Sequence, residues 1–488
     1  MKRYIRSIAF ACLTLTLSAG FSACDDDNVK EFPPKPQQDP EAAPKVVSTM
    51  PESDEMSASA GSEITITYDR KIYLTPVTTI SVNDEYIDEG ITIADDEKTL
   101  IIPYTTIPGT KYTVTVANPS VRDENYNFSP SLTFSFITKP INALDPEMFQ
   151  IDESPVNPDA TPTARKLYEV MRSNFGSRVM TGAVAQKCHD IITANILKSM
   201  TGRYPVINCF DFMEHYQSAP VNPDGWSTSK YDDISVDSRW AENGGIVSYQ
   251  WHWHVPMTAA DVNDFNRYAF YCNGAGGSSN TEFSAANALK EGTWERNIID
   301  RDIDAVASYL LRLQDAGIPV LWRPLHEAAG NSNAFAGGKP WFWWGNSGPE
   351  VFKELWVYLF ESLKAKGVNN LIWVWTSCGN DPDWYPGDRY VDIVGLDYYE
   401  NDKEKYHLSL SQQMGTLMSF TNHKILALTE AGALPSIDAI AAGGDMWSYM
   451  VPWNGDYTTN PEINSTEFFK SLFDDDRVLT RDKMIPIK

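Results

Sequence analysis

The sequence predicts an α/β protein in which a (β/α)8 barrel at residues 141–488 follows a small all-β sandwich at residues 46–140. Two patterns along the 488-residue chain support this division. Short alternating strands, separated by turn residues, fill the first region as they do in a sandwich. Strands rich in Val, Ile and Leu then alternate with amphipathic helical stretches, and eight such units fit a closed parallel barrel.

Residues 1–23 have the layout of a secretory signal, with a basic start and an apolar stretch too short for a permanent membrane span. The string Phe21-Ser22-Ala23-Cys24 resembles a bacterial lipobox, which implies that Cys24 is acylated. The acidic run 25–27 resembles an export tag of surface lipoproteins. We therefore expect a lipid anchor at Cys24 in the outer membrane, facing outward. A plain signal peptide, a solvated tether and a periplasmic orientation stay open as alternatives.

Residues 24–45 are acidic and rich in proline, which is typical of an extended linker. The sandwich that follows has predicted strands at 64–68, 100–103, 112–116 and 132–136. Its segment Pro108-Gly109-Thr110-Lys111-Tyr112, followed by alternation, resembles bacterial immunoglobulin-like modules, which are usually spacers.

The barrel region contains the eight runs that are expected to form its strands. They are 178–184, 205–212, 245–253, 319–327, 370–377, 391–399, 424–432 and 446–453. Helical stretches at 302–316 and 350–366 each end before a glycine, a common helix C-cap. A doubly wound sheet is the rival fold, but it requires a glycine-rich phosphate loop that Thr181-Gly182-Ala183-Val184 does not supply.

The chain is strongly acidic, with 65 acidic against 40 basic residues and a formal net charge of −25. This charge repels nucleic acid and anionic headgroups but tolerates a neutral substrate. Beyond the signal and Cys24, the cysteines are Cys188, Cys209, Cys272 and Cys378, and none stands in a CxxC pair that favours zinc. Their pairing is left open. We expect a monomer that needs no cofactor and no metal.

In a (β/α)8 barrel, functional side chains lie at the C-terminal ends of the strands. The residues predicted at those ends are Asp211, His252, Glu327, Asp397, Tyr399, Glu430 and Trp453. Aromatic faces stack on sugar rings, and carboxyl groups hydrogen-bond sugar hydroxyls and transfer protons, so this set suits a carbohydrate.

Glu327 and Glu430 end the fourth and seventh predicted strands, which lie across the barrel from each other. Two carboxyl groups flank the scissile bond in glycoside hydrolysis, and in a retaining enzyme they lie about 5–5.5 Å apart. The pair therefore predicts a glycoside hydrolase.

Several strings resemble glycoside hydrolase family 26, a family of (β/α)8-barrel β-mannanases. The most specific are Trp322-Arg323-Pro324-Leu325-His326-Glu327 and Trp341-Phe342-Trp343-Trp344-Gly345. The strings Gly395-Leu396-Asp397-Tyr398-Tyr399 and Leu428-Thr429-Glu430 also match, and the resemblance covers most of residues 141–488.

The resemblance implies a role for individual residues. Glu327 matches the acid/base, Glu430 the nucleophile, and Tyr399 a tyrosine that hydrogen-bonds the nucleophile. The resemblance also implies that His252, His326, Trp341 and Trp453 contact substrate, whereas Asp211 is expected there only from its position at a strand end. The implied activity is endo-acting, retaining hydrolysis of β-1,4-mannosidic bonds in mannan, glucomannan or galactomannan.

Several alternatives remain open. The resemblance also allows β-1,3-xylan or mixed-linkage β-glucan as substrate, and a decayed barrel would give a non-catalytic glycan-binding lipoprotein. His252 and His254 share one face of a strand, as a metal pair does, but a third ligand is not evident. The stretch from Ala328 to Pro340 is longer than is usual in the family, which leaves endo action against chain-end preference open.

Overall fold

A computed structural model describes most of the chain beyond the linker. The described residues are 42–55, 58–59, 61, 63–106, 111–138, 150–218, 221–225, 227, 230–330, 338–379, 381–484 and 486–487. The predicted signal, Cys24, residues 25–41 of the linker and residues 108–110 of the immunoglobulin-like string lie outside these ranges. Among the residues that the structure describes, no helix combines the length and apolar character needed to cross a membrane.

The first region is an antiparallel β-sandwich. Its strands are β1 (Val46–Met50), β2 (Glu63–Tyr68), β3 (Tyr73–Leu74), β4 (Ile80–Val82), β5 (Glu85–Tyr86), β6 (Thr92–Ile93), β7 (Thr99–Pro103), β8 (Lys111–Val116), β9 (Val121–Arg122) and β10 (Leu132–Ile137). They form sheets of order β1-β2-β7-β6 and β10-β8-β4-β5, with β3 and β9 as a separate ribbon. Alternate apolar residues of both sheets, such as Ile66 and Val114, are buried in one core.

The second region is a closed parallel barrel, which confirms the predicted fold class. Its eight strands are β11 (Val179–Val184), β12 (Ile207–Asp211), β13 (Ile246–Gln250), β16 (Val320–Arg323), β17 (Leu371–Ser377), β18 (Ile393–Tyr398), β19 (Ile425–Ala431) and β20 (Tyr449–Pro452). Each pairs with the next in parallel, and β11 pairs with both β12 and β20 to close the ring. We call these eight strands the first to eighth barrel strands.

Three short strands lie outside the ring. The hairpin of β14 (Val255–Pro256) and β15 (Tyr268–Ala269) follows the third barrel strand, and β21 (Val478–Leu479) pairs with β11.

Helices surround the barrel. They are α1 (Pro162–Asn174), α2 (Ile192–Thr201), α3 (Ser235–Glu242), α4 (Ala285–Ala288), α5 (Trp294–Asp315), α6 (Pro349–Ala365), α7 (Ser411–Met418), α8 (Ile437–Gly443), α9 (Asp456–Thr459) and α10 (Thr466–Asp474). Short 3-10 helices span His215–Gln217, Ala259–Asp261, Phe265–Arg267, Trp343–Gly345, Pro382–Trp384, Asp388–Tyr390, Lys403–Lys405 and Arg481–Lys483.

The helix predicted at 302–316 begins earlier than expected, at Trp294. Thr293 caps its N-terminus by accepting a hydrogen bond from the Arg296 amide, and Ile298 and Ile299 are buried on its inner face. Charged residues interrupt the apolar pattern in this first part, which hides its period. At the other end, Gly317 follows the C-cap residue Ala316 and adopts φ +73°, as a glycine just beyond a helix end commonly does.

The fourth barrel strand ends earlier than expected, at Arg323 rather than at Glu327. The chain then turns sharply, because Leu325 and Glu327 both adopt positive φ angles of 51° and 52°. Such angles are strained for residues with a side chain, and they are commonly found at functional sites. The turn is held by the Trp344 indole N–H, which donates to the His326 carbonyl at 2.9 Å.

Candidate active site

The carboxyl ends of the barrel strands bring several charged side chains to one mouth. Arg323 is the last residue of the fourth strand, Asp397 and Glu430 lie near the ends of the sixth and seventh, and Glu327 stands on the turn after the fourth. Because the strands are parallel and closed into a ring, side chains that are distant in sequence meet here.

Glu327, Asp397 and Glu430 form a compact group of carboxyl groups. One oxygen from each lies within 4.8 Å of the others. A separation near 5 Å between two carboxyl groups is typical of retaining glycosidases, whereas inverting enzymes hold theirs about 6.5–9.5 Å apart. The geometry of Glu327 and Glu430 therefore suits a double displacement through a covalent intermediate.

Glu430 is buried and held at both oxygens. The Tyr399 hydroxyl donates a hydrogen bond to Oε1, and Arg323 Nη2 donates to Oε2 at 2.9 Å. Two donors fix the orientation of the carboxyl group, as a nucleophile requires. Burial, followed by the charge of Glu430, raises the pKa of the Tyr399 hydroxyl, so Tyr399 stays a donor.

Arg323 is itself buried and binds four groups. It donates to Thr376 Oγ1 at 3.0 Å, to Gln250 Oε1 and to Asp397 Oδ2, in addition to Glu430. Desolvation opposes its charge, but the nearby carboxylates raise the pKa of the guanidinium overall. Three carboxyl groups could in principle hold a metal ion. Here Arg323 already supplies the positive charge between Asp397 and Glu430.

Glu327 differs from Glu430 in its surroundings. Burial raises the pKa of the Glu327 carboxyl well above its ordinary value, and the charges of Glu430 and Asp397 raise it further, while Arg323 opposes them. A carboxyl group that keeps its proton near neutral pH is what a general acid requires. The two glutamates therefore have the contrasting environments that an acid and a nucleophile need.

His252 and His326 lie beside the carboxyl groups, with ring centroids 4.6 Å apart. Burial and the neighbouring Arg323 lower the pKa of His326 well below its ordinary value, so this ring is neutral. His252 Nδ1 lies 2.5 Å from Asp211 Oδ2, which fixes the orientation of the ring. His254 stacks on Tyr216 and lies 3.1 Å from the His252 carbonyl through Nδ1, an arrangement unlike a metal pair.

Asp211 occupies a different place from the one expected. It is 1% exposed, and its oxygens accept hydrogen bonds from the His252 amide, the His252 ring and Gln250. The structure thus places Asp211 behind His252, where protein groups fill its acceptor positions. It supports a ring at the cleft instead of lining the cleft itself.

Aromatic residues border the group. Trp341 and Trp453 are both half-buried, and the Trp453 ring lies 6.2 Å from that of His252. Phe342 packs between Trp341 and His326, with centroids 5.8 Å and 5.5 Å away. These rings provide apolar walls of the kind on which sugar faces stack.

The long stretch after Glu327 is described only at its ends, because residues 331–337 lie outside the described ranges. The Trp341 amide donates to the Gly330 carbonyl at 3.3 Å, so the two described ends meet. The predicted effect of this stretch on chain-end preference stays a prediction.

Tyr271 is a candidate that sequence reasoning missed. It follows the β14–β15 hairpin, and its ring stacks on Phe342 at 5.5 Å. Burial raises the pKa of its hydroxyl, and the charges of Glu327 and Glu430 contribute, which places the group near both carboxyl groups. An irregular insertion after a barrel strand carries no periodic signal that would have revealed it.

The four cysteines that follow the linker are free thiols. Cys188, Cys209 and Cys272 are buried, and Cys378 is half-buried. The question of disulfide pairing, which the sequence left open, is answered for these four by the absence of a bond among them.

Comparison with known proteins agrees with this geometry. The family Glycosyl hydrolase family 26 matches residues 156–483, and a bacterial Ig-like domain matches residues 40–138. A mannan endo-1,4-beta-mannosidase from Thermothelomyces thermophilus is 37% identical over 339 residues, which are 69% of this chain and 64% of that protein. Mannan endo-1,4-beta-mannosidase A from Piromyces is 32% identical over 70% of this chain and 52% of that protein.

Solved structures show the same relationship. The family 26 domain of an endo-beta-mannanase/endo-beta-glucanase from Prevotella bryantii is 35% identical, with a TM-score of 0.59, over 68% of this chain and 99% of that one. A beta-mannanase from a symbiotic protist of the termite Reticulitermes speratus, complexed with gluco-manno-oligosaccharide, is 32% identical with a TM-score of 0.59. The match covers 69% of this chain and 99% of that one. The chain spans less than two thirds of the two mannosidases named above.

Proposed function

Because the chain belongs to glycosyl hydrolase family 26, we propose that it is an endo-acting retaining β-mannanase. The observation that carries the proposal is the pair of carboxyl groups of Glu327, on the turn after the fourth barrel strand, and Glu430, near the end of the seventh, with oxygens within 4.8 Å. The names of the related mannosidases support β-1,4-mannan as the substrate. The aromatic side chains that border the cleft carry no charge, and the chain as a whole is acidic. Both properties suit an uncharged polysaccharide.

The proposed reaction has two steps. Glu430 attacks the anomeric carbon while Glu327 gives its proton to the leaving oxygen, which breaks the glycosidic bond and forms a glycosyl-enzyme ester. Glu327 is then a carboxylate, and it takes a proton from water as that water attacks the same carbon. This releases the sugar with its original configuration and returns both glutamates to their starting states.

The test is hydrolysis of linear mannan, galactomannan, β-1,3-xylan and mixed-linkage β-glucan by the purified protein. We expect a ladder of manno-oligosaccharides, and NMR of the earliest products should show the β-anomer. Products from xylan or β-glucan alone would contradict the mannan assignment. An α-anomer would contradict retention, and unchanged hydrolysis by a Glu430→Gln variant would contradict the mechanism.

We further propose that the mature chain is lipid-anchored at Cys24 and displayed on the outer membrane, with the immunoglobulin-like domain as a spacer. The lipobox-like string and the acidic run that follows it support this. Metabolic labelling with a fatty-acid analogue should mark the native chain but not a Cys24→Ser variant. Protease treatment of intact cells should remove the catalytic domain if it faces outward; labelling of the variant, or full protection, would contradict the proposal.

A further inference from the structure

A single buried glutamine connects the two sides of the active site. Gln250 is the last residue of the third barrel strand and is fully buried. Its Nε2 donates to Asp211 Oδ2 at 3.0 Å, and its Oε1 accepts a hydrogen bond from Arg323 Nη1. The Cys209 thiol lies 3.8 Å from the same Oε1. The amide therefore has a carboxylate at one end and a guanidinium at the other.

Each of these partners holds a group at the cleft. Asp211 accepts hydrogen bonds from the His252 amide at 3.0 Å and from its ring at 2.5 Å. Arg323 donates to Glu430 Oε2 at 2.9 Å. A continuous set of hydrogen bonds thus runs from His252 through Asp211, Gln250 and Arg323 to Glu430.

An amide suits this position for an electrostatic reason. It offers a donor and an acceptor at once, so it satisfies an anion and a cation that are both buried. A carboxylate here would repel Asp211 and would give Arg323 an additional anionic partner. An apolar side chain would leave a guanidinium N–H and a carboxylate lone pair without partners in a dry interior.

We propose that Gln250 is a positioning residue, which fixes Arg323 against Glu430 and Asp211 behind His252. It touches no reacting atom and acts through Arg323 on the orientation of Glu430. The inference rests on the proposed function, because it assumes that Glu430 is the nucleophile whose placement limits the rate.

The experiment compares two substitutions of similar length with a matched control. Gln250→Met removes both hydrogen bonds, and we expect kcat on manno-oligosaccharides to fall roughly 10- to 100-fold with little change in KM. Gln217→Met is the control. Gln217 is also buried, and its amide both donates to the Phe265 carbonyl and accepts from Asn222, each at 2.9 Å. Both variants should lose thermal stability, but only the first should lose kcat.

Gln250→Glu supplies a readout that a purely structural role would not move. When protonated, a glutamic acid at this position offers one donor and one acceptor, as the amide does. Its kcat should therefore exceed that of Gln250→Met, and the advantage should grow as the pH falls. Equal impairment of the two variants at every pH, or an unchanged kcat in Gln250→Met, would overturn the proposal.

The proposed function and this inference fail in distinguishable ways. If the native protein hydrolyses none of the four polysaccharides, the proposed function is at fault. If the native protein is active and Gln250→Met loses no more kcat than Gln217→Met does, the positioning role is wrong while the function stands.

Discussion

Gly330 lies directly beneath Trp341, and a methyl group there would displace the indole. A Cβ built at position 330 would lie 2.3 Å from Trp341 Cε2 and 2.5 Å from Cζ2 and Nε1. The backbone of Trp341 is anchored at both ends, since its amide donates to Gly330 and its carbonyl accepts from Cys272 at 2.7 Å. The ring must therefore move by about 1 Å to reach ordinary van der Waals distance.

Displacement of the Trp341 ring should reduce activity, because this ring borders the cleft. A misplacement of about 1 Å can lower activity by about 100-fold even when the substitution that causes it lies away from the reacting atoms, so we expect Gly330→Ala to reduce kcat/KM on manno-oligosaccharides roughly 10- to 100-fold. Steady-state kinetics on a soluble oligosaccharide measure this directly. Gly61→Ala adds the same methyl where no heavy atom lies within 4 Å, and it should leave kcat/KM unchanged.

A double-mutant cycle tests whether the effect passes through Trp341. If Trp341 is an active wall, Trp341→Ala alone lowers kcat/KM, and adding Gly330→Ala then has little further effect. Fully additive losses would show that the methyl acts elsewhere, and an unaffected Gly330→Ala would show that the ring yields without consequence. Either result would refute the reasoning.

Four further outcomes are expected. Tyr399→Phe removes a hydrogen bond to Glu430 and should lower kcat roughly 10- to 100-fold; Tyr398→Phe, whose hydroxyl instead donates to Glu400 at 2.9 Å, should not. The kcat/KM of the native protein should fall as pH rises through the raised pKa of Glu327, because the acid loses its proton there. A pH profile in which kcat/KM falls only on the acidic side would contradict that role. Glu327→Gln should raise the melting temperature at neutral pH, because a buried carboxyl group with a raised pKa destabilises the fold at every pH above its unfolded-state pKa. Near pH 4 the carboxyl group is protonated in both states, so the gain in melting temperature should vanish. A chelator should leave kcat unchanged, and inhibition that added metal restores would show a metal requirement.

The barrel was predictable because its signals are local. Strands buried on both faces are continuous apolar runs, such as Leu371–Ser377, and they stand out from amphipathic helices without any knowledge of the fold. Helix ends were predictable where a glycine follows, as at Gly317. The start of α5 was not, because the charged residues Glu295 and Asp302 are buried together with Ile298 and Ile299 and so interrupt the apolar pattern of the inner face.

The two glutamates could be proposed from sequence because their strings are specific and each follows an apolar run. By itself, the sequence determined the order of domains, the closed barrel and the position of Glu327 and Glu430 at one end of it. It also determined the excess of acidic charge that suits a neutral substrate.

Only the tertiary structure decided which side chains form hydrogen bonds with one another. Arg323 and Glu430 are 107 positions apart, and Gln250 reaches Arg323 across 73. No local pattern encodes such partners, because hydrogen bonds depend on distances of about 3 Å that closure of the barrel alone establishes. The same closure placed Asp211 behind His252, brought Tyr271 near the carboxyl groups, and gave Glu327 its raised pKa by burying it against two other acids.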